Sequence, residues 1–96
     1  MINMSVEFLI KNNGTEVSIN HTDFTLLEPA FEFLKSKTGL FIDEYADGRI
    51  SPDHAKLLYQ FITENINTGN GSKLVEFKEL LSSSFSQNLW IEYIGD

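Results

Sequence analysis

Residues 4–11 alternate between two faces, with Met4, Val6, Phe8 and Ile10 on one and Ser5, Glu7, Leu9 and Lys11 on the other. This period of two is the signature of a half-buried strand. Asn12-Asn13-Gly14-Thr15 follows, and the alternation resumes with Val17 and Ile19 set between Glu16, Ser18 and Asn20. Two such runs on either side of residues that tolerate positive φ predict a β-hairpin.

The period then lengthens. Phe24, Leu27, Phe31 and Leu34 recur at helical spacing, while Glu32, Lys35 and Lys37 take the outer side. Thr25-Leu26-Leu27-Glu28 has capping-box spacing and predicts that this helix begins there, with Phe24 as a staple and Pro29 still in the first turn. Gly39, just after the two lysines, predicts its end. Leu40, Phe41 and Ile42 predict a short strand running into the acidic turn Asp43–Gly48.

Ser51-Pro52-Asp53 predicts a second helix: the hydroxyl caps, the proline fits the first helical position, and the carboxylate favours the positive end of the dipole. Its apolar stripe is Leu58, Phe61, Ile62 and Ile66. Thr68-Gly69-Asn70-Gly71 breaks it, and Ser72 is placed to cap a third helix with the stripe Leu74, Phe77, Leu81 and Phe85, weakening through Ser82-Ser83-Ser84. Leu89–Ile94 is apolar on much of both faces, which predicts an interior strand. The order β-β-α-β-α-α-β predicts an α+β domain over residues 1–96. Its single sheet has three to four strands, at least partly antiparallel, with three helices mainly on one face.

Composition narrows what such a domain does. At 96 residues the chain buries about 65% of its unfolded surface, enough for one small core. There is no cysteine, hence no disulfide, thiolate nucleophile or cysteine metal site, and secretion is not indicated. The N-terminal residues lack a basic region and no long apolar run occurs, so neither signal peptide nor membrane span is expected, and a cytoplasmic location is. Most of the eight phenylalanines fall on the core stripes, leaving little for a base-stacking platform.

Charge adds a direction. Fourteen acidic against seven basic residues give a formal net charge of −7, which disfavours nucleic acid and anionic membrane as partners. Residues 23–53 alone carry −4, from seven acids and three bases. A modest negative charge keeps a protein soluble, but concentrated in one segment it also suits a basic partner.

No candidate for chemistry closes. Read as a calcium loop, Asp43–His54 has Asp43, Asp47 and Gly48 in place. Tyr45 and His54, however, stand where ligands belong, and the terminal bidentate glutamate is missing, so no metal is expected. Ser51, Asp53 and His54 are triad residue types crowded into four positions, better explained as a helix cap. His21 reads as an isolated surface histidine at the hairpin exit. Glu28 and Glu32 share a helix face, but paired carboxylates need a pocket, and a chain this short has little material to build one. Gly69-Asn70-Gly71 lies between helices and is a loop rather than a phosphate cradle. Neither catalysis nor a cofactor is expected.

What remains is the segment Asp43–Asp53, where Tyr45 and Arg49 stand among Asp43, Glu44, Asp47 and Asp53. In one reading Arg49 makes a local ion pair and Tyr45 half-buries its ring. In the other these two anchor a protein interface inside an acidic rim that speeds encounter with a basic partner.

The stretch Gly39-Leu40-Phe41-Ile42-Asp43-Glu44-Tyr45-Ala46-Asp47-Gly48-Arg49-Ile50-Ser51-Pro52 resembles segments of small acidic bacterial immunity proteins, which are encoded beside toxins of interbacterial competition. The resemblance implies neutralisation of a toxin domain, often a nuclease, by binding over or near its active site. Its partner-binding residues would be Asp43, Glu44, Tyr45, Asp47 and Arg49, with Asp53 at the end of the same segment. The alternative is a self-associating structural or regulatory subunit, a homodimer pairing through the hairpin edge or the apolar C-terminal strand.

Overall fold

A computed structural model describes residues 5–69 and 73–95. Strands β1 (Ser5–Ile10) and β2 (Thr15–Asn20) are followed by α1 (His21–Thr38), β3 (Gly48–Ile50), α2 (Pro52–Asn65), α3 (Lys73–Gln87) and β4 (Ile91–Ile94). The four strands form one antiparallel sheet in the order β2-β1-β4-β3. The predicted α+β class and element order therefore hold. Met4 of the first predicted strand, and Asn70, Gly71 and Ser72 of the predicted break and cap, lie outside the described residues.

The C-terminal strand is interior because it returns between β1 and β3, pairing Phe8 with Tyr93 and Ile50 with Ile91. Only one of its faces is covered: Ile91 and Tyr93 are buried, whereas Ile94 is exposed. The same alternation runs through β1 and β2, whose Val6, Phe8, Ile10, Val17 and Ile19 are buried. α1 and α3 lie against that face, and α2 packs on both of them. Phe8 meets Phe77 of α3 edge-on at 4.8 Å, Phe77 meets Phe31 of α1 at 6.3 Å, and Phe31 meets Phe24 at 4.9 Å. The aromatic residues thus run as a connected chain from the sheet through the helical layer, each pair adding to the burial of area.

The start of α1 and the place of β3 differ from the sequence expectation. α1 starts at His21 rather than Thr25, because the Asn20 side chain caps it by accepting the Asp23 N–H at 2.8 Å. Thr25 sits inside the helix, its hydroxyl donating to the His21 carbonyl, and Pro29 is interior rather than in the first turn. Leu40–Ile42 is not a strand. Ile42 alone is fully buried there, and β3 begins six residues later at Gly48. Gly48 is placed by packing: a side chain at this position would overlap the Tyr93 phenol on the neighbouring strand.

α3 does not weaken at its serines. Ser84 is fully buried and donates its hydroxyl to the Leu89 carbonyl, while the Leu89 N–H returns to the Ser84 carbonyl at 2.9 Å. Asn88 adopts a left-handed φ of 58° between them, a Schellman-type end that turns the chain into β4. Gly39 closes α1 as expected, left-handed at φ 83° with its N–H on the Lys35 carbonyl.

Candidate functional site

Between α1 and β3 the chain crosses nine residues without regular structure, held by small hydrogen bonds and close packing. Asp43 accepts the Tyr45 N–H at 2.9 Å and its carbonyl takes the Ala46 N–H, making an Asx-type turn. Asp47 accepts the Gly95 N–H at 3.0 Å. Gly95 lies so close to the backbone of Glu44 and Ala46 that any side chain there would collide with it. Both aspartates therefore shape the loop.

Glu44 reaches further. Its carboxylate contacts His21 Nδ1 at 2.9 and 3.1 Å, tying the loop to the first residue of α1. That carboxylate raises the His21 pKa above 6.5, with a smaller push from Glu28. The Tyr45 phenol is also raised, first by partial desolvation and then by Glu44 and Asp43, although its ring is exposed. Tyr93, buried, is raised by desolvation and then by Asp43 and Asp47.

These contacts leave a cleft of about 160 Å³ between α1 and the loop. Phe24, Glu28, Phe31 and Glu32 of α1 form one wall, and residues 41–45 form the other. Four carboxylates and four aromatic rings thus share one concavity. It is smaller than the roughly 300–1,000 Å³ of a small-molecule site, and its size suits the end of one side chain. Among the described residues no three or more of His, Asp and Glu converge as a metal-holding group.

The sequence candidates consequently separate. Asp43, Glu44 and Tyr45 come together at the cleft. Asp47 is turned to Gly95, and Asp53 lies exposed in the first turn of α2. Ser51 caps that helix by accepting the His54 N–H at 3.2 Å, which is the role its spacing predicted. Arg49 lies opposite Glu92 on the sheet face turned away from the helices, its guanidinium 5.3 Å from the Trp90 ring centroid. There Lys11 pairs with Glu92 at 3.2 Å beside a separate groove of about 350 Å³. Among the described residues Arg49 makes no ion pair with the acidic segment; in place of the local pair of the first reading, its guanidinium lies over an indole.

Sequence reasoning did not place Glu28 and Glu32 in a site. Their spacing of four puts them on one helix face, but the wall opposite comes from residues 41–45, of which the sequence predicts Phe41 and Ile42 in a strand and Asp43, Glu44 and Tyr45 in the turn after it. Comparison with protein-family models, with curated proteins and with solved structures finds no match.

Proposed function

We propose that this chain is an inhibitory binding protein of the immunity type, one that neutralises a basic toxin domain in the cytoplasm. The observation that carries the reading is the cleft, where aromatic walls and four carboxylates meet on the most acidic third of the chain. Carboxylates held on a folded surface offer a nuclease or other basic domain the anionic pattern of its substrate, while exposed rings such as Tyr45 and Phe41 give the contact apolar area. No chemistry is needed, because covering an active site suffices. The net charge of −7 adds long-range attraction to a basic partner.

Glu28 and Glu32 make the cleanest test, being exposed on α1 and free of ion pairs among the described residues. Co-purification with the product of the adjacent gene is expected. Glu28→Lys/Glu32→Lys should weaken the complex at least tenfold, about 1.4 kcal/mol, with the circular dichroism spectrum unchanged. No complex with any neighbouring gene product would count against the reading.

One observation favours a second reading, self-association. β2 is a six-residue sheet edge that pairs with β1 in unbroken register and contains neither proline nor lysine, the usual guards of an edge. Light scattering at low and high salt separates the two: a salt-insensitive dimer supports this second reading, and a monomer supports the first.

A further inference from the structure

The geometry points to the cleft between α1 and the 41–45 loop as the seat for one arginine side chain of the partner. The inference rests on the cleft being the partner-binding surface and adds what enters it. Three features select the occupant. The carboxylates surround the opening without converging to hold a metal, so a compact divalent ion is not matched, whereas a broad cation with several donors is. Glu28 and Glu32 stand one helical turn apart, and Asp43 faces them from the loop, which offers acceptors to a planar fork from two directions. The exposed rings of Phe41 and Tyr45 supply surface on which a guanidinium stacks and against which a methylene stem packs, and the buried Phe24 lines the same cleft.

The molecule already uses one of these rings for a cation. Lys35 Nζ lies 4.7 Å from the Phe41 centroid, although Lys35 does not itself line the cleft. Its ammonium is a point charge, without the planar face that a guanidinium lays against a ring. Glu44 is held by His21, so the acceptors left for a ligand are Glu28, Glu32 and the remaining lone pairs of Asp43.

The test uses the full chain and simple probes. Nα-acetyl-arginine amide, Nα-acetyl-lysine amide and Nα-acetyl-glutamine amide are each titrated to 100 mM at constant ionic strength, and ring and amide resonances are followed by NMR. Saturable shifts confined to Phe24, Glu28, Glu32, Phe41 and Tyr45 are expected with the arginine probe, with lysine at least threefold weaker and glutamine without effect. Glu28→Gln/Glu32→Gln should weaken the arginine probe at least fivefold. Equal affinity for lysine, shifts spread over the whole acidic surface, an unaffected double variant, or no saturable shift would each overturn the inference. Its failure is distinct from that of the functional reading: a protein partner that binds the double glutamine variant with wild-type affinity removes the arginine seat and leaves the inhibitor. Arginine binding without any protein partner does the reverse.

Discussion

Glu44 bonds across elements to a histidine that the sequence showed only as an isolated surface residue. Nothing in the sequence spacing relates positions 21 and 44, which meet because the chain reverses at Gly39 and lays the loop back along α1. The contact makes stability pH-dependent. Since Glu44 raises the His21 pKa above 6.5, the folded protein holds that proton more tightly than the unfolded chain does. The resulting stabilisation is fully present below pH 6.5 and is lost as pH rises through the raised folded value. Urea unfolding at pH 5.5 and pH 8.5 should therefore show Glu44→Gln losing more relative to wild type at the lower pH. The NMR-titrated pKa of His21 should fall in the same variant. An unchanged His21 titration would mean that the carboxylate does not set it.

At the scale of elements, what was legible depended on whether the signal was local. Ser51-Pro52-Asp53 carries its whole start signal in three adjacent residues, and α2 begins where predicted, with Ser51 as its cap. Gly39 likewise ends α1 on conformational grounds alone. The start of α1 was obscured because its cap is also the last residue of β2, so strand passes to helix without a loop and Thr25 offered a plausible box further on. The two positions give a direct comparison. Asn20→Ala should cost about 1 kcal/mol by loss of the bond to the Asp23 N–H. Thr25→Ala, which removes only a hydroxyl bonded back to His21 within the helix, should cost less than about 0.5 kcal/mol. Chemical denaturation of both variants resolves the difference, and a costlier Thr25→Ala would restore the later start. β3 was displaced for the opposite reason: its position depends on Gly48 making room for Tyr93, a residue 45 positions away, so no local pattern announced it.

For the whole molecule, the sheet divides what the sequence had grouped. The acidic segment read as one surface, with Tyr45 and Arg49 as its joint anchors, yet β3 carries Arg49 to the face away from the helices while Tyr45 stays beside α1. The concentration of charge in residues 23–53 survives this division, because Glu28 and Glu32 take up the side that Arg49 and Asp53 leave. The two faces then make opposite predictions for one partner. If the segment acted as a single patch, Arg49→Ala would remove an anchor and weaken binding tenfold or more. With the cleft as the contact, Arg49→Ala should change affinity by less than about twofold. The cleft variant Glu28→Lys/Glu32→Lys should lose at least tenfold, about 1.4 kcal/mol. Salt separates steering from contact. Raising ionic strength from 0.05 to 0.5 M shortens the Debye length from about 14 Å to about 4 Å. It should slow association of wild type and Arg49→Ala in parallel, since both keep the acidic cleft, and should slow the cleft variant less. Calorimetry for affinity and stopped flow for the on-rate would decide between the faces. A tenfold loss in Arg49→Ala would move the interface to the open sheet, where Trp90 and Lys11 flank that guanidinium.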